Sequence, residues 1–143
     1  MHISTTMCLP RDAASVPVIR RMIGGALSAL GVHPEVRDDI QLALSEACTN
    51  VIDHAHSGDE YEVRVTLDDQ RCSIDVIDTG RGIDLTERFA ARDLEALSGR
   101  GLYLIEMVTD SARWSSPVGT GTIVHFEKAL AWDDTAPPLL AAR

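Results

Sequence analysis

Lysine is nearly missing from this chain: of thirteen basic residues in 143, only Lys128 is a lysine. A phosphate-binding P-loop needs Gly-Lys followed by Ser or Thr, and Lys128 stands between Glu127 and Ala129, so that nucleotide fold is excluded. Basic charge as a whole is scarce. Twenty-two acidic residues give a formal net charge of −9 and a pI near 4.8. A protein that neutralises duplex phosphates needs a basic face, so no direct nucleic-acid partner is expected. No apolar run approaches the ~18 residues of a membrane span, and no membrane partner is expected. The opening Met1-His2-Ile3-Ser4-Thr5-Thr6 has neither a basic cluster nor an apolar stretch behind it, so no signal peptide is predicted. Cysteine is limited to Cys8, Cys48 and Cys72, an odd number without a CxxC pair. That usage points to a reduced, cytoplasmic chain whose cysteines act as small buried hydrophobes. Repeats and low-complexity segments are absent too. What remains is 45% hydrophobic and 24% charged residues, the balance of one globular domain with a real core.

The patterning predicts the elements in turn. Ile3, Thr5, Met7 and Leu9 alternate with His2, Ser4, Thr6 and Cys8, a strand ending at Pro10. Ser15 and Pro17 suit the first turn of a helix carrying Ile19, Met22, Ile23, Ala26, Leu27 and Leu30 inward and stopping at Gly31. Pro34 opens a second helix with Ile40, Ala43, Leu44, Ala47, Val51 and Ile52 as its apolar stripe, running to about His56. Two alternating strands follow, Tyr61 to Leu67 and Cys72 to Ile77, joined by a turn at Asp68-Asp69-Gln70-Arg71. A polar connector from Thr79 to Ser98 is long for a loop at ~20 residues, the length of a lid over a site. A third helix after Ser98 carries Leu102, Ile105 and Val108, and strands near Ala112–Ser115 and Thr120–Phe126 close the domain. The order β-α-α-β-β-α-β-β predicts an α+β two-layer sandwich, a mostly antiparallel (mixed) sheet with helices on one face. Residues 1–130 read as the domain and 131–143 as a loose tail.

Four local constellations bear on chemistry, and each alone has a bland explanation. Glu46 and Asn50 are four residues apart on the second helix, so their side chains leave one face roughly 40° apart, with Asp53 and His54 nearby; a solvated polar face would look the same. In Asp78-Thr79-Gly80-Arg81-Gly82, Asp78 has the parity of Cys72, Ile74 and Val76 and so points to their face of the sheet. An ionised carboxylate there needs donors, which an adenine amino group could supply, while a strand-end Asp capping a turn is the plainer case. Ser98-Gly99-Arg100-Gly101-Leu102 opens a helix, where free N–H groups and the dipole favour an anion, or where small residues let helix and sheet pack closely. Gly119-Thr120-Gly121-Thr122 enters the last strand, and Thr122 shares the parity of Val124 and Phe126. A dinucleotide GxGxxG fingerprint fails at each glycine pair, since positions 85, 104 and 124 hold Leu, Leu and Val.

In their order along the chain the four features resemble the nucleotide-binding boxes of the histidine-kinase-like (GHKL) ATPase superfamily. More narrowly the chain is similar to the anti-sigma-factor serine/threonine kinases of bacterial partner-switching systems. The resemblance runs over residues 10 to 128 and is carried by Glu46-Ala47-Cys48-Thr49-Asn50-Val51-Ile52-Asp53-His54-Ala55 and by Gly99-Arg100-Gly101-Leu102. It implies the Bergerat-type ATP-binding fold, ATP and ADP as ligands, and Mg²⁺ held by Asn50. It implies that Asp78 accepts the adenine amino hydrogen with Thr122 nearby, and that Gly80 and Gly82 let the base lie close to the chain. Gly99, Arg100, Gly101 and Leu102 would hold phosphates, with His54 in reach of them. Glu46 would act as general base or orienter for the attacking hydroxyl, and Asp53 would either assist Mg²⁺ or repel phosphate. Arg88 and Arg92 are both candidates for the γ-phosphate. The implied partners are a sigma factor and a STAS-domain antagonist carrying the acceptor hydroxyl, and the implied assembly is a homodimer. The adjacent pair Arg20 and Arg21, on the polar side of the first helix, is a candidate partner surface. No helix pair with a phospho-acceptor histidine is present, so the chain does not read as a complete sensor kinase.

Overall fold

A computed structural model describes residues 1–54, 59–78, 102–115 and 122–134. The elements are β1 (His2–Pro10), α1 (Ser15–Leu30), α2 (Pro34–His54), β2 (Glu60–Asp68), β3 (Arg71–Asp78), α3 (Leu102–Val108), β4 (Ser111–Ser115) and β5 (Thr122–Ala129). The strands form one sheet in the order β1-β2-β3-β5-β4. Every pairing among the described residues is antiparallel, from Ile3 opposite Leu67 to Ala112 opposite Phe126.

Alternation decides which way each strand faces. Tyr61, Val63, Val65 and Leu67 of β2, Cys72, Ile74 and Val76 of β3, and Val124 and Phe126 of β5 are buried on one face. They meet Ile19, Ile23 and Leu27 of α1, Ile40, Leu44 and Val51 of α2, and Ile105 of α3. The opposite face is mostly polar, apart from the pair Ile77 and Ile123 at one end of it. There His125 Nδ1 lies 2.6 Å from Asp75 Oδ1, and Arg71 pairs with Glu127 at 3.1 Å. The helices therefore cover one face of the sheet, the two-layer α+β arrangement that the patterning predicts.

Helix ends follow local chemistry. Gly31 takes φ 86° and its N–H closes on the carbonyls of Leu27 and Ser28, the left-handed C-cap that glycine adopts without strain. The α1–α2 crossing is tight at Gly24, where an added Cβ would collide with the Gln41 amide that donates to the Arg20 carbonyl at 3.1 Å.

Three expectations differ. Met22 and Ala26, placed in the α1 stripe by spacing, are exposed, because the buried stripe is the narrower line Ile19–Ile23–Leu27–Leu30. Cys8 is exposed on β1; Leu9 takes the inward position beside it, so only Cys48 and Cys72 are buried. The chain expected to loosen from residue 131 is tied down at first: His33 N donates to the Ala131 carbonyl at 2.7 Å, Asp133 N to that of Gly31 at 2.8 Å, and Trp132 Nε1 to that of Asp69 at 2.9 Å. An indole that buries its ring and satisfies its N–H anchors such a segment. Residues 135–143 lie outside the described part.

Candidate functional site

The geometry begins at the end of the sheet where β3 stops and β5 starts. Asp78 and Thr122 are direct register partners across the β3–β5 ladder, and Tyr61 of β2 stands opposite Asp78 on its other side. All three side chains are on the covered face: Asp78 is 1% exposed, Thr122 4% and Tyr61 1%. A row of three polar groups at the rim of an apolar layer is costly to bury unless hydrogen-bonded. Tyr61 is held by such bonds. The Ser15 hydroxyl donates to the Asp12 carbonyl at 2.7 Å, so its one proton is committed. The 2.6 Å contact between Tyr61 Oη and Ser15 Oγ is then a bond that Tyr61 donates. Cys48, on α2, is buried in the same core cluster as Tyr61. Burial drives the Cys48 pKa up to about 12 and, with Cys48 beside it, raises that of Tyr61, so both stay neutral.

α2 supplies the second half. Ala43, Ala47, Cys48 and Val51 turn into the core, which leaves Glu46 and Asn50 together on a half-buried face and Asp53 exposed. Both side chains offer hard oxygens on one turn of helix, and a carboxylate is a hydrogen-bond acceptor when ionised. Leu102, half-buried, begins α3, which packs against α2 and β4. Asp78, Thr122, Glu46, Asn50 and Leu102 are thus described. Gly80, Gly82, Gly99, Arg100 and Gly101, the His54 side chain, and the lid arginines Arg88 and Arg92 lie outside the described residues.

Patterning overlooked two residues here. Tyr61 read as one more strand position, although an aromatic with a hydroxyl beside a strand-end Asp is a weak signal of a buried polar row. Arg11, in the β1–α1 connection, gave no signal at all. Its guanidinium donates to the Ile52 carbonyl at 3.0 Å through Nη2 and at 3.3 Å through Nε.

Comparison with known proteins decides the family. Residues 9–128 match the family model of the histidine kinase-like ATPase domain. The chain belongs to the histidine kinase-like ATPases. Within that family it falls in the branch of the RsbW serine-protein kinases. It is 31% identical to the serine-protein kinase RsbW of Bacillus licheniformis over 133 residues, 85% of this chain and 82% of that protein. To RsbW of Bacillus pumilus it is 31% identical over 138 residues, 87% and 84% of the two chains. The fold agrees with the crystal structure of the RsbU and RsbW domains of Rv1364c from Mycobacterium tuberculosis. There the TM-score is 0.70 at 20% identity, over 90% of this chain and 32% of that longer one. An RsbW-type fold is what the α+β sheet and its three described helices amount to.

Proposed function

We propose that this RsbW-type chain is an ATP-dependent protein serine/threonine kinase that serves as an anti-sigma factor in the cytoplasm. It phosphorylates a hydroxyl on a STAS-type antagonist protein and sequesters a sigma factor. The observation that carries the reading is the pairing of buried Asp78 with buried Thr122 at one end of the sheet, beside a helix bearing Glu46 and Asn50 on its half-buried face. Membership in the RsbW branch supports the kinase chemistry.

The residues fit the groups that this activity requires. A carboxylate is an acceptor only, and a hydroxyl can accept or donate, so Asp78 and Thr122 suit the exocyclic amino group of adenine. Asn50 offers a neutral oxygen of the kind Mg²⁺ takes alongside phosphate oxygens and water. Mg²⁺ at that position supplies charge neutralisation for the transferring phosphoryl group. Glu46, one turn before Asn50, accepts the proton from the attacking serine or threonine hydroxyl and holds that hydroxyl in line. By the family resemblance, the phosphates would fall to Gly99, Arg100 and Gly101 and the base to Gly80 and Gly82, all outside the described residues. Catalysis of this kind is mostly positioning plus electrostatic stabilisation.

The test pairs binding with turnover. Titration calorimetry is expected to give saturable MgATP binding that weakens in Asn50→Ala. Glu46→Ala is expected to bind MgATP normally while transfer to a partner hydroxyl falls ~10²–10⁴-fold, the usual worth of a positioned base. Undiminished transfer by Glu46→Ala would remove Glu46 from its role.

A second reading is sequestration without turnover, favoured by the outer face of α1. Val18 and Met22 are about half exposed there, at 51% and 52%, next to exposed Arg20 and Arg21. Apolar side chains flanked by arginine are suited to a protein partner. Reversing both charges to Glu is expected to weaken partner binding at least tenfold and leave MgATP binding alone. The assembly proposed is a homodimer.

A further inference from the structure

The segment between β1 and α1 reaches α2 on both sides of Asn50, after it by hydrogen bonds and before it by packing through Tyr61. From Arg11, the guanidinium donates twice to the carbonyl of Ile52, two residues after Asn50. From Ser15, a 2.6 Å hydrogen bond holds Tyr61, which is buried in the same core cluster as Cys48, two residues before Asn50. Arg11 also donates its backbone N–H to the Asp59 carbonyl at 2.8 Å, so it binds the chain on both sides of the α2–β2 connection. The last four carbonyls of a helix have no partner within it, and Ile52 lies in the last turn of α2. A half-buried guanidinium there satisfies one of them and sets a positive charge at the negative end of the dipole. The tether through Tyr61 works from inside the core, where Ser15, Tyr61 and Cys48 are all buried. Tyr61 also stands in register with Asp78.

We propose that Arg11 and Tyr61 are positioning residues for the nucleotide-bound metal: together they hold the Cys48–Ile52 turn of α2 so that the Asn50 carboxamide is aimed before ligand arrives. The proposal rests on the reading of Asn50 as the Mg²⁺ ligand. Neither residue touches nucleotide; each acts through the backbone and packing of α2. Groups that orient a metal ligand from behind are commonly worth 10- to 100-fold in metal affinity, which sets the scale of the effect.

The experiment measures ATP affinity of the full chain twice, with Mg²⁺ and with EDTA, and takes the ratio as the metal-dependent increment. The variants are Arg11→Ala, Arg11→Lys, Tyr61→Phe and Asn50→Ala, each checked by thermal unfolding. Arg11→Ala and Tyr61→Phe are expected to cut the increment about tenfold while affinity in EDTA stays within a factor of about two. Arg11→Lys, which keeps the charge and loses the paired donors, is expected to fall between wild type and Arg11→Ala. If Arg11→Ala does not fold, Tyr61→Phe and Arg11→Lys carry the comparison. An increment that is unchanged in the folded tether variants while Asn50→Ala abolishes it overturns the positioning role alone. Equal losses with and without Mg²⁺ overturn it as well, because they show general loosening of the domain. An intact increment in Asn50→Ala refutes the metal site itself, and the tether proposal with it.

Discussion

Asparagine at position 78 is the sharpest perturbation of the proposed base pocket. Asp78 is 1% exposed and faces Thr122, itself 4% exposed, so a base read there is read away from water. A carboxylate can only accept, and adenine presents a donating amino group where guanine presents a carbonyl oxygen. A hydrogen bond to a charged group contributes about 1.5–3 kcal/mol net, which is roughly 10- to 100-fold in affinity. Asp78→Asn keeps the size and one acceptor oxygen but removes the charge, so ATP affinity is expected to fall by about tenfold, the lower end of that range. The amide also brings N–H donors, which can meet the guanine oxygen that the carboxylate repels. GTP affinity is therefore expected to rise, and the ATP-to-GTP preference to collapse by ~100-fold, the product of the two changes. Competition against a fluorescent nucleotide analogue, with ATP and GTP as competitors, measures both constants in one assay. Thermal unfolding of the variant checks that the nearly isosteric change leaves the sheet intact. A folded Asp78→Asn protein with the wild-type preference for ATP over GTP would refute the assignment of Asp78 as the adenine reader.

Other expectations follow from burial and charge. Cys8 is exposed while Cys48 and Cys72 are buried, so a thiol reagent should label one cysteine quickly in the native protein. The other two should react only at the rate of unfolding. Burial pushes the Cys48 and Cys72 thiols from 9.0 up to about 12, so between those values the unfolded chain binds fewer protons than the folded one. Stability should be full below pH 9 and fall as pH rises through that window, by at most about 1.4 kcal/mol per pH unit for each thiol, and Cys72→Ala should make the fall shallower in urea titrations. At the acid end, the backbone N–H groups of Gln70 and Arg71 donate to Asp68 at 2.7 and 2.8 Å and hold its carboxyl below its ordinary value of 3.8. The folded carboxyl then loses its proton more readily than the unfolded one. Its contribution is present above pH 4 and lost as pH falls through the lowered value, so Asp68→Asn should flatten the acid limb of the stability curve.

Most of the fold was legible because its signals are local. Alternation in β2 and β3 predicted the buried set from Tyr61 to Val76, and Gly31 and Pro34 marked the ends of α1 and α2. The parity that put Asp78 and Thr122 on the core face is a property of any extended chain, and they lie there. Errors arose where an element has more apolar positions than the layer beneath it can cover. Met22 satisfies helical spacing as well as Ile23 does, yet only one of them meets the sheet. Trp132 could not be assigned from composition, since its anchor is the Asp69 carbonyl, 63 residues away.

By itself, the amino-acid sequence determined the element order, the two faces of each strand, and the spacing of Glu46, Asn50, Asp78 and Thr122, because periods of 2.0 and 3.6 residues are built into the backbone. It could not say which strands are neighbours, and so could not say that Asp78 pairs with Thr122 on one side and Tyr61 on the other. Nor could it say that Arg11 would close on the end of α2, 41 residues further on. Those contacts are decided by tertiary structure, since they join parts of the chain that have no local reason to meet until burial of the shared core brings them together.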